Sequence, residues 1–410
     1  MRKLLVIADD ITGSNATGVL FQQIGWKVRT IPDYRTGAID VLEQSDVVVW
    51  NSRSRLLPPS QAKSRIQQMM ASIVSKEEIK KHVFVSKRID STFRGPIGAE
   101  IEGILACFSS DYKIVIVPAY PSSGRITKGG HLYVHGIPVH LTEAGKDPFT
   151  PVSSSHVVEI LKSQTSFPIG WIETEKYAGQ ELVKRIQQVA SRNRIIICDA
   201  ASEEEIQRLA RAWIQSDLPI IPVDPGPFTF YYVSSQLARQ KQVLMVCGSL
   251  AQTSREQVDT LEEQGSVGMI RLDIGLLSDP EHSSHYQARI IGKVAELRKQ
   301  YQVIGIRTDG DHHQHVDGKA ASEAISNLVQ ALLSQYHFSG LYLSGGEVAF
   351  ATLSKMKVES LQLISEIVPL CVMAKAVGGP YEGISIVTKG GSVGDRLAIV
   401  KSIQHLLYAR

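Results

Sequence analysis

The 410-residue sequence predicts an α/β protein of two doubly wound domains with mainly parallel sheets. Three observations predict it. Short apolar runs recur from end to end, and most lead through a turn into a segment of helical periodicity. Apolar runs alternating with helices mark parallel sheets covered on both faces. A chain of 410 residues also exceeds what one hydrophobic core usually organises.

Taken in order, the predicted strands of the first half are Lys3–Ala8, Asp46–Trp50, His82–Ser86, Lys113–Val117, Arg194–Cys198 and Pro219–Val223. Those of the second half are Gln242–Cys247, Val267–Leu272, Gln302–Thr308, Gly340–Leu343, Leu370–Ala374 and Ile384–Val387. Helical spacing fills Ala62–Ser75, Ile97–Cys107, Gly179–Ser191, Glu203–Ile214, Gln287–Gln300, Lys319–Tyr336 and Asp395–Tyr408. The Pro/Gly punctuation at Asp224–Phe228 places the domain boundary between 224 and 242, giving domains 1–235 and 236–410. Segment Ser122–Thr150 is rich in Gly, Pro, His and Thr without helical spacing; a loop so long is usually functional, so it is a candidate site lining.

Composition excludes several classes. A net charge of +3, with scattered Lys and Arg, leaves no nucleic-acid footprint. The four cysteines stand far apart without a CxxC pair, so neither a structural zinc site nor a disulfide framework is expected. MRKLLVIADD carries too short an apolar run for a signal peptide or a membrane span, and a cytoplasmic protein is expected. No GxxxxGK[ST] phosphate loop is present, and no GxGxxG follows the first strand. The polar stretch Asp309–His315 lacks a second ligand cluster and reads as a surface turn; no protein metal site is expected.

Chemistry-bearing residues gather where strands end. Asp9 and Asp10 follow the first strand, ahead of Thr12–Asn15; they either face a ligand crevice or cap the next helix. Asn51–Arg55 brings Arg53 and Arg55 to the end of the second predicted strand, where planar guanidinium donors suit a carboxylate or phosphate. Lys87, Arg88, Ile89 and Asp90 open a third cluster, running on to Ser91, Thr92, Arg94 and Gly95. In the long loop, Gly129–Gly130 permits either ligand approach or a tight turn; His131 reads as structural and Asp147–Pro148 as a turn. In the second half, three small-residue turns follow strands: Gly248–Ser249, Gly345–Gly346–Glu347 and Lys389–Gly390–Gly391. Turns of this kind present backbone N–H groups to phosphate.

These stretches together resemble the four-carbon acid sugar kinase family. The resemblance rests on ADDITGSNATG at 8–18, RIDSTFRGPIGAEI at 88–101, PAYPSSGRITKGGHLYVHGIPV at 118–139 and DPFTPV at 147–152. It continues in GSLAQTSREQ at 248–257, SGGEVAFATL at 344–353 and TKGGSVGD at 388–395. It implies a sugar-acid-binding N-terminal domain, an ATP-binding C-terminal domain and reaction in an interdomain cleft. Position by position, it implies that Asp9, Arg53, Lys87, Arg88, Ile89 and Asp90 bind substrate. It likewise implies that Ser249, Gly345, Gly346, Glu347, Lys389, Gly390 and Gly391 hold ATP. The implied reaction phosphorylates the terminal hydroxyl of D-threonate, D-erythronate or L-threonate, or of another small hydroxy acid. Phe93 stands where the family has an aliphatic residue and Ser14 where Ala is usual; both bear on stereochemical preference.

Phosphoryl transfer asks a protein mainly for positioning and charge neutralisation. Mg²⁺ is expected alongside ATP, and the catalytic base is Asp9 or, second, Asp10. No membrane partner is expected, and a homodimer is compatible with the reading. Two other classes compete: a nicotinamide-dependent oxidoreductase, weakened by the missing GxGxxG, and a non-catalytic sugar-acid sensor, which detectable ATP turnover would exclude.

Overall fold

The computed structural model describes residues 2–74, 82–308 and 317–409. Asp309–His315 therefore lies outside the described residues. The chain divides into two compact units, Met1–Leu237 and Ala238–Arg410.

The first unit carries strands β1 (Lys3–Ala8), β2 (Val28–Ile31), β3 (Val47–Asn51), β4 (Val83–Arg88) and β5 (Lys113–Ile116). After them come β6 (Arg125–Lys128), β7 (His131–Val134), β8 (Ile137–Pro138), β9 (Ile169–Ile172), β10 (Ile195–Cys198) and β11 (Ile220–Asp224). Eight of these form one sheet in the order β2-β3-β1-β4-β11-β5-β10-β9. Every pairing in it is parallel. Leu5, Ile7, Val48, Trp50, Ile114, Ile116, Ile195 and Ile197 share one buried core with Ile66 and Ile101 of the covering helices. Chain order reverses at β1, which has β3 on one side and β4 on the other; such a switch point opens a crevice at the strands' C-terminal ends.

Segment Ser122–Thr150 is not an open loop. It folds into the antiparallel sheet β6-β7-β8 followed by 3₁₀ turns at Val139–Leu141 and Glu143–Lys146. Gly129 and Gly130, at φ 59° and 77°, make the tight β6–β7 turn that only glycine takes readily.

The second unit carries β12 (Val243–Cys247), β13 (Val267–Arg271), β14 (Val303–Arg307), β15 (Gly340–Ser344), β16 (Ser360–Val368), β17 (Cys371–Val377) and β18 (Ser385–Lys389). Their order is β13-β14-β12-β15-β18-β17-β16, parallel as far as β18 and antiparallel for the last two strands. Residues alternate between two cores: Leu244 and Val246 face one helical layer, Val243 and Met245 the other. The switch point falls between β12 and β15. Among the described residues no helix is long and apolar enough to cross a membrane.

Candidate active site

Parallel pairing aligns Ala8 with Asn51 and with Arg88, so the residues that follow β1, β3 and β4 emerge together. Asp10 closes the N-terminus of the helix Ile11–Gln22, accepting from the Gly13 N–H at 2.7 Å. Capping is thus realised for Asp10. Asp9 is buried and accepts from Arg55 Nε at 2.7 Å and Arg88 Nη1 at 3.2 Å. Burial works to raise the Asp9 pKa, but Lys87, Arg55 and Arg88 outweigh it and hold the carboxyl below its ordinary value. A carboxylate held so firmly in its charged form is a weak base.

Arg55 is the hub. Its guanidinium also meets Asp10 at 2.7 Å and Asp90 at 3.5 Å. Asp90 is gripped in turn by Arg94, whose Nε lies 2.8 Å away, and Arg94 Nη1 reaches Asp147 at 2.8 Å. Burial opposes the ionisation of Asp90, yet Arg94, Arg55 and Thr92 keep its pKa well below the carboxylate range. Asp147 forms the expected turn, accepting from the Phe149 and Thr150 N–H groups, and adds the ion pair. Two buried donors make no hydrogen bond: Arg88 Nε, and Arg55 Nη2, which has only the Asp90 ion pair. Arg88 crosses directly over Gly13, where a Cβ would overlap its guanidinium.

Two of the expected substrate contacts have buried side chains. Lys87 is fully buried, its Nζ bound to Glu100 Oε1 at 3.1 Å and to the Arg88 carbonyl at 2.8 Å. Ile89 belongs to the hydrophobic core, and its N–H donates to Asp224 O. Alternation along β4 separates the Lys87 side chain from that of Arg88. Arg53 stands at the exposed rim in a left-handed conformation (φ 52°), fixed by its backbone between Asn51 Oδ1 and Arg65 Nη1. Phe93 and Ser14 are buried, and Ser14 Oγ donates to the Asp10 carbonyl at 2.6 Å.

In the second unit the glycine turns also converge. Cys247 pairs with Ser344, and Ser344 with Lys389. The Gly345 N–H donates to Lys389 O at 3.2 Å, and Ser254 Oγ to Gly391 O at 2.6 Å. A Cβ on Gly391 would overlap Ser249 Oγ. A pocket of about 330 Å³ is lined by Gly248, Leu250, Thr308, Gly345, Gly346 and Glu347, with Ile274 and Ile325 on its apolar side. Gly346 and Glu347 open the helix Gly346–Lys355, whose first N–H groups and positive dipole end suit an anion. Lys389 folds back onto its own turn, with Nζ on Gly390 O and Val393 O; burial lowers its pKa.

Comparison with known proteins fits this division. A family model described as a sugar-binding N-terminal domain matches residues 4–232, and one described as a nucleotide-binding C-terminal domain matches residues 244–399. The D-erythronate kinase of Heliobacterium modesticaldum is 31% identical over 99% of this chain and 98% of its own length. The chain belongs to the four-carbon acid sugar kinase family. The D-threonate kinase of Salmonella typhimurium is a further relative, 28% identical over 98% of both chains. A solved structure from Bordetella bronchiseptica, described as a domain-swapped dimer with bound citrate, shares the fold. Its TM-score is 0.82 at 23% identity, over 99% of each chain.

Of the residues expected to serve this family's chemistry, the structure gathers Asp9, Asp10, Arg88 and Asp90 in one unit. In the other it gathers Gly345, Gly346 and Glu347 at a pocket, with Ser249 and the Lys389–Gly391 turn beside them. Sequence reasoning placed Arg55 and Arg94 in these clusters without giving either a substrate contact, and it left Glu100 out. The signal for Arg94 was its spacing of four from Asp90; Arg55 had only its place beside Arg53.

Proposed function

We propose that the protein is an ATP-dependent kinase that phosphorylates the terminal hydroxyl of a four-carbon sugar acid, D-erythronate or D-threonate first. The observation that carries this reading is the Arg55–Arg88 pair over Asp9, in which Arg88 Nε makes no hydrogen bond and Arg55 Nη2 has only the Asp90 ion pair at 3.5 Å. A substrate carboxylate supplies the acceptors they lack, and charge-assisted bonds of this kind are short and strong. Asp9 holds both guanidiniums in place, Asp90 and Asp10 are the acceptors for substrate hydroxyls, and Arg53 serves from the rim. The erythronate and threonate specificities of the relatives support the substrate class.

ATP is assigned to the second unit. Its adenine fits the apolar side of the Ile274–Ile325 pocket, and its phosphates the N–H groups of Gly346 and Glu347. Mg²⁺ binds mainly through phosphate oxygens and water. Among the described residues no three His, Cys, Asp or Glu side chains gather around a common point, and Glu347, exposed at the phosphate-binding turn, is the carboxylate placed to support the ion. Mg²⁺ would neutralise charge on the phosphates. The cytoplasm, where ATP and small acids are available, is the proposed location, and the homodimer is to be read by light scattering.

The test is ADP release from Mg-ATP against D- and L-threonate, D- and L-erythronate and longer aldonates. Turnover on a four-carbon acid supports the reading. Silence on the whole panel, with ATP bound, moves the substrate to another hydroxy acid; absence of ATP binding removes the kinase.

A further inference from the structure

Beneath the arginine–aspartate crevice lies a second polar cluster that touches no solvent. Lys87, Glu100, Ser52 and Ser54 are all buried, at 0%, 1%, 0% and 0% exposure. Glu100 sits in the first turn of the helix Ile97–Leu105. Its Oε1 meets Ser54 Oγ, and Ser54 Oγ lies 2.6 Å from Ser52 Oγ, which lies 2.7 Å from the Ala8 carbonyl. The chain thus runs from the helix, through the loop after β3, to the residue just before Asp9.

Protons can be counted along it. Three oxygen–oxygen contacts need three protons, and the Ala8 carbonyl can only accept. Each serine hydroxyl brings one. With an ionised Glu100, the 2.6 Å contact between the serines, or one of its neighbours, would set lone pair against lone pair. The third proton has one remaining source, the Glu100 carboxyl.

Around the cluster, Lys87, Arg55, Arg88 and Arg94 are cations, Arg65 donates to the Ser52 and Arg53 carbonyls, and Asp9, Asp10, Asp90 and Asp147 are the acids in contact with the other arginines. The Lys87 charge helps keep Asp9 ionised, and burial pushes the Glu100 pKa up, with Asp9 adding to the rise against the pull of Lys87. Protonated Oε1 can still accept from Lys87 Nζ at 3.1 Å.

We infer that Glu100 is a positioning residue that stays protonated and donates into a one-way chain, Glu100 to Ser54 to Ser52 to Ala8 O. The chain fixes the Ser52–Arg55 loop against β1 and thereby sets Arg55 over Asp9. Glu100 does not touch substrate; it acts through the loop. Lys87 acts likewise from within. The kinetic part of the test rests on the proposed sugar-acid kinase reading, and the spectroscopic part does not.

Infrared difference spectra of the full chain at pH 7, wild type minus Glu100→Gln, should contain a protonated-carboxyl C=O stretch. In Ser54→Ala, whose Glu100 has lost its acceptor, the same band should move to higher frequency. A difference spectrum carrying only carboxylate bands, or a band indifferent to Ser54→Ala, overturns the inference whether or not the enzyme reading stands. In kinetics, Ser54→Ala and Ser52→Ala should each raise the sugar-acid KM about tenfold, through loss of the two hydrogen bonds each hydroxyl makes, with the ATP KM unchanged. A fall in Tm with both KM values unmoved would mean a structural role alone and would overturn the positioning claim.

Discussion

Gly13→Ala separates the chemistry of the crevice from the stability of the fold. On an exposed helix the change is favourable by about 1 kcal/mol, since glycine is the poorer helix former. Here the new methyl would occupy the space of the Arg88 guanidinium, which contacts Asp9 at 3.2 Å and Asp10 at 3.4 Å. Arg88 must move. Charge-assisted hydrogen bonds of this kind contribute about 1.5–3 kcal/mol each. If Arg88 also holds the substrate carboxylate, kcat/KM for the sugar acid should fall about tenfold to 150-fold, at about 1.4 kcal/mol per decade. The helix gain offsets part of the lost ion pairing, so unfolding free energy should drop by only about 0.5–2 kcal/mol. The assay is a double-mutant cycle with Arg88→Ala, read by denaturant unfolding and by steady-state kinetics. In the Arg88→Ala background, Gly13→Ala should stabilise the protein and leave kcat/KM as it finds it. An equal effect of Gly13→Ala in both backgrounds would refute the reasoning, because the methyl would then act through something other than Arg88.

Arg55→Ala should reduce sugar-acid turnover at least a hundredfold, because it strips the partner from Asp9, Asp10 and Asp90 at once, whereas rim-placed Arg53→Ala should cost about tenfold; parallel kcat/KM measurements rank them, and equal losses would remove the hub role. Gly346→Val should raise the ATP KM and spare the sugar-acid KM, since the position lines the nucleotide pocket with open space above it. Asp199, buried at the end of β10 and accepting from the Gly130 N–H, has its pKa pushed up to about 6 by burial. A carboxyl raised in the fold above its unfolded value contributes stability that is full below about pH 4 and is lost as pH rises through about 6. Asp199→Asn should therefore flatten the fall in Tm between pH 4 and 7, a loss of about 3 kcal/mol for two pKa steps, and an unchanged slope would contradict the assignment.

Much of the fold was legible because buried parallel strands announce themselves as unbroken apolar runs: VVVW, KIVIV, RIIIC and VLMVC all became central strands. Short strands were legible only where every residue or nearly every residue is apolar, as in KIVI and IIIC. VRTI, IGWI and the β6–β8 hairpins carry too little sequence for a period to show, and their pairing is decided by tertiary contacts. The edge strand Ser360–Val368 alternates imperfectly, because two register shifts break its pairing with β17. The crevice was legible as a set of strand ends, since charge after an apolar run in a parallel sheet has nowhere else to go. Its wiring was not. Arg53 and Arg55 look equivalent in Asn51–Arg55, and the left-handed turn at Arg53 sends Arg55 to the aspartates. Lys87 and Arg88 look like one basic pair, yet strand alternation gives one to Glu100 and the other to Asp9.

The central claim is transfer of the ATP γ-phosphoryl group to the terminal hydroxyl of a four-carbon sugar acid. Its most direct test is phosphorus NMR of the product formed from Mg-ATP with D-erythronate and, separately, with D-threonate. The account predicts ADP and a phosphomonoester coupled to a CH₂ group, formed with at least one of the two acids and abolished in Arg55→Ala. ATP consumed to inorganic phosphate without an ester, or an ester on a CH carbon, would contradict it.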